Sequence, residues 1–179
     1  MSGDLNVSKG NTPDYINDLI SYLGDREPMA VMAKTHDALD AATTNLTINQ
    51  LRTPEREGKW SIIEVVQHLA DTEIALAFRY RKILAEPNPD IQAYDQDLWA
   101  RNLHYPDAVL DDALDQFDAL RKANLRLLES QSPESLERWG MHSERGRESV
   151  ADIVRLYAAH DCYHLHQIDR IKAALRQTD

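Results

Sequence analysis

Residues 157–168 read Tyr157-Ala-Ala-His160-Asp-Cys-Tyr-His164-Leu-His-Gln167-Ile168 and set two imidazoles four positions apart within an apolar helical pattern. Residues at positions i and i+4 share one face of an α-helix. His160 and His164 can therefore meet at one point, whereas His166, about 200° around the helix from His164, faces outward. Neutral imidazole is the commonest metal ligand among side chains. The segment thus predicts a buried helix that carries a metal-binding pair.

A second apolar run contains one further histidine. It reads Trp60-Ser-Ile-Ile-Glu64-Val-Val-Gln-His68-Leu-Ala-Asp71-Thr-Glu73. Ser61 followed three residues later by Glu64 is a capping box. The sequence therefore predicts a helix from this cap to about Ala85, since prolines follow there. We expect His68 as the third ligand, because three imidazoles buried on core faces without a shared ion would each lose hydration.

The rest of the chain predicts further helices joined by two long connections. Leucine, alanine, glutamate and arginine dominate the periodic stretches and strand signals are nearly absent, which favours an all-α fold. The length predicts a single domain over residues 1–179, with a flexible terminus at 1–11. We expect a short lead-in helix at about 13–23, long helices at about 28–46, 61–85, 108–130 (capped by Asp107) and 150–176 (capped by Ser149 with Asp152), a loop at 47–59, and connections at 86–107 and 131–148.

The composition argues against several classes of protein. Twenty lysines and arginines against thirty aspartates and glutamates give a formal net charge of −10. A negative field repels phosphate backbones, so a nucleic-acid partner is not expected. The single cysteine, Cys162, cannot form an internal disulfide, and no N-terminal apolar segment predicts a signal peptide or a membrane span. We expect a cytoplasmic protein without a membrane partner, in which Cys162 is a buried, inert thiol.

Other metal sites of helical bundles can be compared with this pattern. A di-iron carboxylate site needs Glu-x-x-His motifs, and the sequence contains none. A metalloprotease needs His-Glu-x-x-His, whereas positions 161–163 are Asp-Cys-Tyr. A haem between two helices needs only two histidines and an apolar slot, so this alternative stays open at the level of sequence.

Three short motifs occur in a specific order along the chain. They are Glu57-Gly-Lys-Trp-Ser61, His68-Leu-Ala-Asp-Thr-Glu73 and the later His160-x-x-x-His164 with Gln167-Ile168. This combination resembles the DinB/YfiT-like superfamily of metal-dependent enzymes, over most of the chain. The resemblance implies a four-helix bundle with a long crossover connection and a homodimer. It also implies one divalent metal ion, zinc or nickel, held by His68, His160 and His164.

The resemblance implies a small-molecule substrate as well. Characterised members include S-transferases that use bacillithiol, mycothiol or glutathione, isomerases that depend on such thiols, and proteins described as hydrolases. Three neutral imidazoles leave coordination positions open, where a metal can bind a thiolate or lower the pKa of water. We expect an S-transferase that joins a low-molecular-weight thiol to an electrophile. A metal-dependent hydrolase and a non-enzymatic metal-binding dimer are the alternatives.

Further side chains are candidates for supporting roles. Asp71 lies one turn after His68 and Gln167 one turn after His164, so each can orient an imidazole, although solvated or capping roles are equally compatible with their positions. Four residues of the connections can overhang the metal, although loop histidines are more often exposed; they are Tyr94, Asp95, His104 and His142. The sequence does not identify a general base.

Overall fold

The computed structural model describes residues 13–176, and helices dominate them. The predicted flexible terminus at 1–11 lies outside these residues. The helices are α1 (Pro13–Ser21), α2 (Pro28–Thr43), α3 (Ile48–Arg52), α4 (Ile62–Ala85), α5 (Gln96–Asn102), α6 (Leu110–Glu129), α7 (Pro133–Leu136) and α8 (Val150–Leu175). A 3₁₀ turn, Tyr105–Asp107, precedes α6. None of the helices in this part of the chain is long and apolar enough to cross a membrane.

Local capping fixes where the two site-bearing helices begin. The backbone N–H of Ser61 donates to Glu64 Oε2 at 2.8 Å at the start of α4. The backbone N–H of Ser149 donates to Asp152 Oδ2 at 2.9 Å at the start of α8. Both predicted capping boxes are therefore present, and α4 ends at Ala85 as expected.

Two predicted boundaries are wrong. Asp107 does not cap α6, because it lies within the 3₁₀ turn, and Val109 is the capping residue without a side-chain hydrogen bond. The predicted loop at 47–59 contains α3, which begins with its own capping box between Thr47 and Gln50. A helix of five residues is too short to show a hydrophobic period in sequence.

The helices α2, α4, α6 and α8 form a four-helix bundle. Both α2 and α4 pack against α6 and α8, so α2 and α4 lie diagonally across the bundle. Along α4 and α6 the chain passes from the apolar cluster around Phe117 to the cluster around Tyr80, and along α2 and α8 it passes the other way. The neighbours α4 and α6 are therefore parallel. The connection between them must run back along the bundle over about 30 Å, which is the length of the twenty-residue helix α6. The predicted bundle with a long crossover connection is confirmed, and the lead-in helix α1 packs on α8.

A layer of buried polar residues separates the two apolar clusters halfway along the bundle. Arg121 on α6 donates to Asp161 Oδ2 on α8 at 2.7 Å and to Glu73 Oε1 on α4 at 2.9 Å. It also donates to the carbonyl of Met32 on α2, and Thr35 donates to Asp161. The guanidinium of Arg121 thus links all four long helices.

A small sheet covers one end of the bundle, although the sequence showed almost no strand signal. Strand β1 (Asp90–Ile91) pairs in parallel with β2 (Trp139–His142), and β2 pairs antiparallel with β3 (Gly146–Ser149). A Cβ at Gly140 would lie 2.8 Å from both Ile91 Cγ1 and the carbonyl oxygen of Pro89, so β2 approaches β1 more closely than a larger residue allows. Strands of two to four residues are too short to show alternation, which is why the sequence did not predict them.

Candidate metal centre

Three histidine side chains meet in the polar layer between α4 and α8. His68 Nε2 lies 3.1 Å from His160 Nε2, and His164 Nε2 lies 3.0 Å from the same atom. All three side chains are buried. Among the residues described, these three form the group of His, Cys, Asp and Glu side chains close enough to share an ion. The structure therefore brings together the three histidines named from the sequence, without a fourth protein ligand among the described residues.

Burial keeps these imidazoles neutral. Desolvation lowers the pKa of His164 to about 4. It lowers the pKa values of His68 and His160 well below the ordinary value for histidine, and the neighbouring imidazoles lower them further. The neutral form is the form that binds metal, so the side chains are ready to coordinate near neutral pH.

Gln167 sets the tautomer of one imidazole. His164 Nδ1 lies 2.8 Å from Gln167 Oε1, so with the amide assigned this way Nδ1 carries the proton and donates. The lone pair of His164 Nε2 then points into the centre of the cluster. This is the contact expected of a residue that orients the imidazole of His164, as predicted for Gln167.

A single cation fits the three nitrogens better than hydrogen bonds among them do. One N–H at His160 Nε2 can point at only one of its two close neighbours, so the other contact would lack a good hydrogen bond. A metal with bonds of about 2.0–2.1 Å to imidazole places two nitrogens about 2.9–3.4 Å apart for angles between octahedral and tetrahedral. Both measured separations fall in this range. The close approach of nitrogens from two helices also leaves no space for a planar haem between α4 and α8.

One of the three histidines departs from the usual hydrogen-bonding arrangement of metal ligands. Histidines that bind metals usually donate their second N–H to a carboxylate, carbonyl or water. His160 Nδ1 is buried and has no hydrogen-bond partner within residues 13–176. His160 also lines the cavity described next.

A cavity of about 380 Å³ opens beside His160. Its lining residues come from α1, α4, the crossover connection, β2 with the turn that follows it, and α8. The lining residues that bear on the chemistry are Arg79, Tyr94, Asp95, His142, Tyr157 and His160. A small molecule in this cavity would contact His160, the member of the histidine cluster that lines it.

Comparison with known proteins places the chain in a family. The model of the DinB superfamily matches residues 32–168. The chain belongs to the DinB superfamily. It is 34% identical over 139 residues to a putative metal-dependent hydrolase of Bacillus mycoides strain KBAB4, covering 76% of this chain and 79% of that protein. A putative metal-dependent hydrolase of Bacillus cereus strain B4264 has the same identity and coverage.

The fold of this DinB-superfamily chain is also found in a solved structure. YfiT from Bacillus subtilis, described as a probable metal-dependent hydrolase with an unusual four-helix bundle topology, superposes with a TM-score of 0.77. The match covers 92% of this chain and 89% of YfiT at 23% sequence identity. The parallel neighbours α4 and α6 and their crossover connection thus belong to a known architecture.

Asp71 does not orient an imidazole in this DinB-superfamily chain. Its Oδ2 accepts from the hydroxyl of Tyr105 at 2.8 Å, and its Oδ1 accepts from Gln116 and Gln67 at 2.9 and 3.0 Å. These donors come from the crossover connection, α6 and α4. Asp71 therefore anchors the connection to the bundle, and the possibility that it orients His68 is not supported by its contacts.

The other candidates divide between the cavity and the surface. Tyr94, Asp95 and His142 line the cavity, whereas His104 is exposed. The expectation that loop histidines are exposed is wrong for His142, which is 2% exposed, because strand pairing draws it into the structure. Cys162 is buried and burial raises the pKa of its thiol, as expected for an inert cysteine.

Arg79 is the residue that sequence reasoning missed. It is buried, lines the cavity, and donates to the hydroxyl of Tyr157 at 2.7 Å and to the carbonyl of Gln92 at 3.0 Å. Eleven residues separate it from His68, which is about three helical turns. That spacing places both side chains on the same face of α4, and this signal could have identified Arg79.

Proposed function

We propose that this chain is a metal-dependent enzyme in which His68, His160 and His164 hold one divalent ion beside the cavity. The observation that carries the proposal is the convergence of three buried, neutral Nε2 atoms at one point, where His160 also lines a cavity of substrate size. The descriptions of the Bacillus relatives as putative metal-dependent hydrolases support a metal ion. Zinc and nickel both accept imidazole ligands, so both are candidates.

Three protein ligands are typical of a catalytic rather than a structural site, because coordination positions stay open. When bound, a divalent ion would supply Lewis acidity and lower the pKa of a coordinated water to about 7. The chain's own residues hold the ligands in place. Gln167 fixes the tautomer of His164, and the indole of Trp60 packs against the imidazole of His68 with ring centres 4.9 Å apart.

Hydrolysis of a small molecule is the reaction that we propose first, because the relatives' descriptions name that class. S-transfer from a low-molecular-weight thiol is the second candidate, since the open position that accepts water can equally accept a thiolate. The open cavity beside His160 favours either enzyme over a closed, purely structural site. The homodimer and the cytoplasmic location stay predictions, which light scattering and cell fractionation would test.

Parallel assays separate the two reactions. Protein loaded with zinc or nickel would be offered a set of chromogenic esters and amides, and in a second set thiols with a soft electrophile. Turnover in the first set alone indicates hydrolysis, and metal-dependent loss of free thiol indicates S-transfer. His160→Ala should abolish either activity, whereas His166→Ala, an exposed position on the same helix, should retain it. Equal rates in both variants would contradict the proposed site.

A further inference from the structure

Arg79 is a buried cation without a carboxylate partner. Arg79 is only 3% exposed, and its guanidinium donates hydrogen bonds to the hydroxyl of Tyr157 and the carbonyl oxygen of Gln92. Within residues 13–176 it forms no ion pair with Asp or Glu. Arg121, buried to the same degree, is paired with two carboxylates. The guanidinium also lies 5.6 Å from the centre of the Tyr94 ring, which is a weaker partner than a carboxylate. Because an unpaired buried charge is costly, an anion from outside residues 13–176 would stabilise Arg79.

Tyr157 extends this donor group toward the histidine cluster. Its hydroxyl oxygen accepts from Arg79 Nη1, which leaves the hydroxyl proton for a different acceptor. Tyr157 lies one turn before His160 on α8, and the two rings are 5.4 Å apart between centres. A ligand that binds at Arg79 and Tyr157 is therefore held next to the metal ligands.

His142 supplies a third donor. The backbone N–H groups of Glu144 and Arg145 donate to its Nδ1, at 3.2 and 3.4 Å, so the proton of the neutral ring is on Nε2. Burial lowers the pKa of His142 to about 4, which keeps the ring neutral. Its Nε2 is buried and has no hydrogen-bond partner in the described part of the chain. Such a donor normally has an acceptor.

The distribution of charge around the cavity also favours an anionic ligand. Arg79, Tyr157 and His142 are buried. The acidic residues at the cavity, Asp95, Asp97 and Glu144, are exposed and screened by solvent. The positive charge of Arg145 is balanced by its ion pair with Glu148. Among the described residues, the buried positive charge at the cavity without a carboxylate partner is therefore that of Arg79.

We propose that Arg79, Tyr157 and His142 form the substrate subsite of this enzyme and bind an anionic oxygen group, a carboxylate or a phosphoryl group, of a small molecule. The subsite rests on the proposed function, because it positions the ligand beside His160. It narrows the substrates to anionic compounds, with the anion on Arg79 and the reacting group toward the histidines.

Calorimetric titration of the zinc-loaded full-length protein tests the subsite with matched probes. The probes are phenylacetate, benzylphosphonate and the neutral phenylacetamide. At least one anion should bind about tenfold or more tightly than the amide, as expected for hydrogen bonds to a charged group. The comparison of the two anions shows whether the subsite prefers a carboxylate or a phosphoryl group.

Variants separate the subsite from direct binding of the anion to zinc. Arg79→Met should remove the preference for the anion, while Arg101→Met, which deletes an exposed positive charge, should keep it. Circular dichroism and zinc content are measured on the same samples. If Arg79→Met does not fold, Arg79→Lys and His142→Phe take its place, and each should weaken anion binding about tenfold.

The outcomes distinguish the two proposals. Equal affinity of anions and amide for the wild type, or an unchanged preference in folded Arg79 and His142 variants, would overturn the subsite even if zinc is bound. A wild-type protein that binds no zinc but still prefers anions through Arg79 would support the subsite and overturn the proposed function instead.

Discussion

His68 Nε2 lies 3.1 Å from His160 Nε2, although the two residues are far apart in sequence and come from different helices. The contact is possible because α4 and α8 are neighbours and both enter the polar layer at the same height in the bundle. His164, one turn after His160, completes the cluster. The packing of α4 against α8, together with the single turn between His160 and His164, therefore brings the three imidazoles together.

Acid should destabilise the protein through His142. Its pKa is about 4 in the folded chain, so only the unfolded chain binds a proton there as the pH falls below about 6.5. The stabilisation is fully present above pH 6.5 and is lost progressively down to about 4. Between pH 7.5 and 5.5 His142 should account for a loss of at most about 1.4 kcal/mol in the free energy of unfolding, because solvent screening reduces the effect.

Urea unfolding at both pH values measures this loss. His142→Asn should reduce the difference between the two pH values by about that amount relative to the wild type. His166→Asn, at an exposed position, is the control and should leave the difference unchanged. An unchanged difference in His142→Asn would show that the ring is not held neutral by burial.

The ion network around Arg121 should dominate the stability of the bundle centre. Arg121→Met leaves Glu73 and Asp161 as buried carboxylates without their cation, and we expect a loss of about 3–5 kcal/mol in the free energy of unfolding. Lys122→Met is the matched control, because its pair with Asp118 is on the surface and should contribute less than about 1 kcal/mol. Similar losses in the two variants, measured by urea unfolding, would contradict the role of the network.

Tyr105 should affect stability without affecting the metal. Tyr105→Phe removes the hydroxyl that donates to Asp71 Oδ2 in a buried site, and should cost about 1–3 kcal/mol of unfolding free energy. Because Asp71 is bound to the crossover connection and α6 rather than to an imidazole, metal content should stay at the wild-type level. Loss of metal in a folded Tyr105→Phe variant would restore Asp71 as a residue that orients His68.

Sequence predicted those parts of the fold that depend on local signals. The long helices were visible because Ser61 and Ser149 start them with capping boxes and apolar residues follow at helical spacing. The pair His160 and His164 was visible for the same reason, since four residues make one turn. The bundle and its crossover connection came from the resemblance to a family, because helix order in space depends on contacts between distant residues.

The parts that sequence missed depend on non-local contacts. The strands β1 and β2 are held by each other across fifty residues, and neither has a pattern of its own. The burial of His142 follows from that pairing. Arg79 has an ordinary position in a charged helix, and only the folded cavity shows that no carboxylate of the described chain neutralises it.

Metal content is the most direct test of the central claim. Untagged wild-type protein, His160→Ala and His166→Ala would be reconstituted with zinc or nickel, dialysed and analysed by mass spectrometry for bound metal. We predict about one ion per chain in the wild type and in His166→Ala, and almost none in His160→Ala, because three ligands are needed for stable binding. Equal metal in all three proteins, or none in the wild type, would contradict a metal centre at His68, His160 and His164.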